Sequence, residues 1–120
     1  MFYSRNKLCL IFKYKDHKNY LPMNKAILQV WEESNRIEGI RQDGCSIHID
    51  DKQRNMYVDS VYRGRKEDNL PDSYERIVGS PVEVEISDVL FKIVERDKSI
   101  RLRSYEMNNL LKMEEIIVND

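Results

Sequence analysis

Residues 81–95 read Pro81-Val82-Glu83-Val84-Glu85-Ile86-Ser87-Asp88-Val89-Leu90-Phe91-Lys92-Ile93-Val94-Glu95, and the pattern changes half-way along. Val82, Val84 and Ile86 alternate with Glu83 and Glu85, the period of a strand with one buried face and one wet face. From Val89 the alternation gives way to a short apolar run. It reads as the first strand of a hairpin that turns at Asp97-Lys98-Ser99 and returns through Ile100-Arg101-Leu102-Arg103. Ser87-Asp88 offer a second reading, because their side-chain oxygens can cap a helix over 89–96. Half-buried strands joined by short turns call for an antiparallel sheet. The expected fold class is therefore α+β, an antiparallel β-sheet with one or two helices packed on a face, as a single domain over 1–120.

Working outward, Ser46-Ile47-His48-Ile49-Asp50 and Met56-Tyr57-Val58-Asp59-Ser60-Val61-Tyr62 read as a hairpin across the polar Asp51–Arg54, with Asp43-Gly44 as a turn ahead of it. Arg63 to Asn69 contains no apolar residue and reads as an exposed loop. Pro71-Asp72-Ser73 can start one helical turn that Gly79 ends. Upstream, apolar residues at 23, 27, 30, 31 and 37 approach helical spacing, with Gly39 as terminator, which predicts a helix over 22–38. Ala26 to Trp31 would also suit a buried strand, since short apolar runs do not separate the two states. Leu8, Leu10, Phe12 and Tyr14 predict a strand at 7–14, and Leu110, Leu111, Met113, Ile116 and Ile117 a short C-terminal helix.

Composition narrows the classes. A chain of 120 residues buries about two thirds of its unfolded surface, enough for one core without disulfides or metal. The longest apolar run, Leu8 to Phe12, is five residues, where a membrane span needs about twenty. Cys9 and Cys45 belong to no CxxC pair, so the expected thiols are reduced, in a cytoplasmic protein with no cofactor. The net charge of −1 hides an asymmetry: residues 1–30 carry +5, 31–60 and 61–90 carry −3 each, and 91–120 are balanced. A generic nucleic-acid binder would be basic throughout, because each phosphate contact uses a Lys or Arg.

Four constellations carry candidate chemistry. His48 and Asp50 would share a strand face near Cys45, as a base with its orienting carboxylate or as metal ligands. Yet Cys9 and His17 would have to complete a tetrahedral shell with no spacing to signal it. Glu83 and Glu85, with Asp72 and Asp88 near them in sequence, suit a divalent cation or an acid–base pair, but nothing after Glu85 supplies the carboxylate-x-lysine ending of a metal-dependent nuclease. No catalytic or metal residue is assigned. Lys13, Tyr14, Lys15, Lys18 and Tyr20, with Arg63, Arg65 and Lys66, interleave cations with aromatics as a single-strand RNA platform does. Finally, the acidic middle offers Asp50, Asp51, Asp59, Glu67 and Asp68 to steer a basic partner, with Trp31, Tyr57 and Tyr62 as aromatic anchors.

In size, charge and its share of Ile, Lys, Asn and Tyr, the whole chain resembles the small immunity proteins of bacterial contact-dependent growth inhibition and related polymorphic toxin systems. No stretch of it is a signature of that family. The resemblance implies a cytoplasmic, non-enzymatic antitoxin that binds a cognate toxin, often a nuclease, and blocks its active site or substrate groove. The expected partner is thus a basic toxin protein, with RNA binding through the basic segments as the alternative. Strands near either terminus also offer edges for a homodimer.

Overall fold

The computed structural model describes residues 23–65 and 70–118. Within them the fold is α+β: a five-stranded, wholly antiparallel sheet in the order β4-β2-β1-β3-β5, with three helices packed on it. The strands are β1 (Met23–Asn35), β2 (Gly39–His48), β3 (Ser73–Ser87), β4 (Ser99–Leu102) and β5 (Ile116–Val118); the helices are α1 (Asp51–Tyr62), α2 (Asp88–Asp97) and α3 (Ser104–Lys112). The predicted strand at 7–14 lies outside the described residues.

The central strand is the segment predicted as a helix over 22–38. β1 is a strand because both of its faces are covered: Ala26 and Leu28 enter one layer, Gln29 and Trp31 the other. A strand buried on both sides loses its period of two and leaves an apolar run. Gly39 does not end a helix; with φ +92 it opens β2 after the turn over 36–38. Asp43-Gly44 is likewise no turn. Val30 pairs with Cys45 and Glu32 with Gln42, so both residues stand opposite Trp31 as a bulge. Gly44 takes φ +83 there, and a Cβ on it would lie 2.0 Å from the Leu102 carbonyl oxygen.

The expected hairpin over 46–62 is a strand followed by a helix. Asp50 is extended, and its Oδ1 accepts the Gln53 N–H at 2.8 Å; Asp51 places a further negative charge in the first turn. The helical turn expected at Pro71–Ser73 is instead the entry to β3, a strand of 15 residues containing the predicted alternation at 82–86. The expected hairpin at 89–103 gives way to the second reading: Ser87 Oγ accepts the Leu90 N–H at 3.2 Å, and α2 runs to Asp97 before β4. At the C-terminus the helix comes earlier than predicted. α3 buries Met107 and Leu111 and ends at Lys112, while Ile116 and Ile117 belong to β5.

The two faces of the sheet differ in chemistry. One carries the apolar core: Ala26, Leu28, Cys45, Ile47, Val84 and Ile86 pack with Leu90 and Val94 of α2 and Met107 and Leu111 of α3. The other, under α1, is polar and aromatic.

Candidate functional site

Pairing places the side chains under α1 in rows. Gln29, Ser46 and Arg101 are cross-strand neighbours; Ile27, His48 and Ser99 form the next row. Trp31 is fully buried and donates its Nε1–H to Ser46 Oγ at 2.7 Å. Ser46 Oγ lies 2.7 Å from His48 Nε2, and His48 Nδ1 lies 2.6 Å from Ser99 Oγ. Trp31 has only a donor to give, so Ser46 accepts from it and is free to donate to Nε2, leaving Nδ1–H for Ser99. Tyr57 closes the layer from α1, its ring centroid 5.2 Å from His48 and 5.9 Å from Trp31. Burial first, and then the nearby Arg54 cation, hold the imidazole pKa down to about 4. His48 is therefore neutral at pH 7.

Gln29 shows why this layer is polar. Opposite it, β3 bulges: Leu28 pairs with Val82 but Val30 with Val78, so Gly79, Ser80 and Pro81 face a single residue. That releases backbone carbonyls, and Gln29 Nε2 donates to the oxygens of Val78 and Gly79 at 3.2 Å each. Its own oxygen accepts from Arg54 Nε and Nη2 at 3.0 and 2.6 Å, pinning α1 to the sheet.

Beyond Trp31 lies a mixed-charge cleft of about 370 Å³ whose lining includes Glu33, Asp43, Glu75, Arg65, Arg103 and Tyr74. Glu33 and Glu75 are direct cross-strand partners, a repulsive placement. Neighbouring guanidiniums offset it: Arg41 is 2.7 Å from Glu33, and Arg101 is 2.5 Å from Glu75. Arg101 also meets Asp43 at 3.0 Å, stacks 5.0 Å over the Trp31 ring, and keeps buried Nε and Nη1 groups without hydrogen-bond partners among the described residues. Arg103 completes the set on Asp43 at 2.8 Å.

The sequence-predicted residues separate accordingly. Trp31, Tyr57 and Tyr62 do come together, with Tyr62 centred 6.4 Å from Trp31, but as a packed cluster between α1 and the sheet. Asp50 and Asp51 meet at the start of α1. Asp59 sits two turns further along, roughly 12 Å by helical rise. Lys52 lies between them and Arg63 one turn past Asp59, so the acids form no unbroken negative patch. Arg65 serves the fold: it donates to the Glu75 carbonyl and lies 4.8 Å over Tyr62 and 5.6 Å over Tyr74. Arg63 is exposed just past α1. Glu67, Asp68, Lys66, Lys13, Tyr14, Lys15, Lys18 and Tyr20 lie outside the described residues, as do Cys9 and His17.

Both alternative constellations come apart. Cys45 faces the apolar core and His48 the opposite layer, and Asp50 has left the strand to cap α1. Glu83 is exposed and paired with Lys25 at 3.7 Å, while Asp88 turns to Lys92 and Asn24. Among the described residues no three His, Cys, Asp or Glu side chains gather as a metal would require, and no helix is long and apolar enough to cross a membrane. Sequence reasoning missed Gln29, Ser46, Ser99 and Arg101, which look like surface residues until the topology buries the first two and half-buries the others. No protein-family model matches the chain, and neither does any curated protein or solved structure.

Proposed function

We propose that this chain is a non-catalytic binding module that inhibits a partner protein, in the manner of the immunity proteins it resembles in size and composition. One observation carries the reading. Cys45 and His48, whose side chains among the described residues are suited to nucleophilic or proton-transfer chemistry near neutral pH, are both fully buried and on opposite faces of the sheet. Burial, only partly opposed by Arg101, pushes the Cys45 thiol up to about 12. What reaches solvent is recognition chemistry: carboxylates, guanidiniums and apolar tips.

The docking surface is the outer face of α1, where Lys52, Asn55, Met56, Asp59, Ser60 and Arg63 follow one another at helical spacing and Asp51 stands beside them. Met56 is 55% exposed and supplies an apolar centre flanked by charge, the layout of a small hot spot with a polar rim. The partner is expected to be basic, with its Lys or Arg meeting Asp51 and Asp59.

The test is an affinity capture from the native host washed at high salt, followed by titration of the recovered protein against wild type and an Asp51→Lys, Asp59→Lys variant. A loss of ten-fold or more in affinity at unchanged melting temperature supports the surface. Equal binding by both proteins removes it. Asp50 is left intact because its side chain caps α1.

A further inference from the structure

We propose that His48 is an acid-sensitive latch whose protonation releases α1 from the sheet. The geometry admits only a neutral ring comfortably. The chain Trp31 to Ser46 to His48 to Ser99 runs donor to acceptor in one direction, each group used once. A proton taken from solvent onto Nε2 makes both ring nitrogens donors. Ser46 Oγ then accepts from Trp31 and His48 together, and its own hydroxyl hydrogen must find a new acceptor in a buried layer.

The charges around the ring do not compensate. Facing it from α1 are Arg54 and Tyr57; from β4, Ser99 and Arg101; from β1, Gln29 and Trp31; from β2, Ser46. On β3, Glu83 lies across Ile27, exposed and paired with Lys25. Asp50, two residues along, is turned to the Gln53 N–H. Arg101 is already paired with Asp43 and Glu75, so the charge an imidazolium would meet is Arg54, whose hydrogen-bond partners are the neutral amides of Gln29 and Asn55.

α1 is the element able to yield. It is held by Gln29–Arg54, by Tyr57 and Val58, and by Tyr62 at the β3 edge, whereas α2 and α3 are bound into the separate apolar core. Its release would dismantle the docking face. That consequence rests on the proposed function, while the release rests on the fold alone, so the two fail separately.

The sign follows from the proton count. His48 titrates near 4 in the folded state and at 6.5 when freed. The opened state thus binds more protons between those values, and closure weakens as pH falls through 6.5 toward 4. From pH 7 to pH 4 the opening constant rises about 100-fold. Residue-resolved amide hydrogen exchange, corrected for intrinsic rates, tests this on the full chain. The expected result is that amides of 54–62 lose about two orders of magnitude of protection while Leu90, Val94 and Leu111 keep theirs. His48→Gln, which hydrogen-bonds but takes no charge, should abolish the pH dependence. Uniform loss across all helices, retained α1 protection, or the same pH profile in the variant overturns the latch. Should the variant not fold, titration of the His48 ring protons by NMR beside the wild-type exchange profile decides: loss of α1 protection that does not follow His48 protonation overturns the latch.

Discussion

Gly44 and Gly79 have positive φ for different reasons, and substitution tells them apart. At Gly79, φ is +69 and the space where a Cβ would go is open. Gly79→Ala should then cost only the left-handed backbone strain, about 1 kcal/mol. At Gly44 the same strain is joined by a clash with the backbone of Leu102, Arg103 and Ser104. Gly44→Ala should cost about 3 kcal/mol or more, because the join between β4 and α3 must move. Urea denaturation of the pair reads the difference directly. Cys45 makes a second residue-level prediction. Its folded pKa of about 12 stands above the ordinary 9.0, so the unfolded state loses its proton first and stability falls as pH climbs past 9. Folded protein held at pH 8 should leave the Cys45 peptide unalkylated by iodoacetamide, whereas urea-unfolded protein should be labelled there within minutes.

At the scale of elements, legibility followed the number of covered faces. The stretch 82–86 was readable because β3 is half-buried there, so Glu83 and Glu85 alternate with Val82, Val84 and Ile86. β1 was not, since Gln29 and Trp31 are as buried as Ala26 and Leu28. α1 hid for the opposite reason: its inner face presents Arg54 and Tyr57 to a polar layer, and Met56 faces outward, so no apolar stripe marks it. The candidate aromatics were visible as residue types, but only pairing shows that they are spent on packing. The third strand makes a prediction of its own. Along 73–77 its outer edge is met by side chains, Tyr62 Oη accepting the Ile77 N–H at 2.9 Å and Arg65 donating to the Glu75 carbonyl. Tyr62→Phe with Arg65→Ala should uncover a strand edge at a modest cost of about 1 kcal/mol per lost contact. Sedimentation at increasing concentration should then show stronger self-association in the variant than in wild type.

For the whole molecule, the charges divide between recognition and architecture. Asp43, Glu75, Arg101 and Arg103 are committed to one another around the cleft. Asp51 and Asp59 are exposed on α1 with no ion pair among the described residues. Charge reversal should sort them. Asp51→Lys and Asp59→Lys should move stability by no more than about 0.5 kcal/mol each, the scale of exposed sites and helix ends. Asp43→Lys should cost about 3 kcal/mol or more, because it sets a cation against Arg101 and Arg103 and leaves the half-buried Arg101 with Glu75 alone. Thermal melts of the three variants check the division.

The order β4-β2-β1-β3-β5 also sets a timetable for the growing polypeptide. β1 closes on β2 across a turn, Asn35 beside Gly39, but its other side waits for β3, from Ser73 opposite Asn35 to Ser87 opposite Met23. About 40 residues separate the end of β2 from the end of β3, which at about 5–20 residues per second is roughly 2–8 s of synthesis. Throughout that interval the run Ala26-Ile27-Leu28-Gln29-Val30-Trp31 stands with one strand edge unmet, and its Ala26 and Leu28 face waits longer still for α2 and α3. Over those seconds the nascent chain is expected to bind holdase chaperones, and slow codons between β2 and β3 should lengthen its exposure.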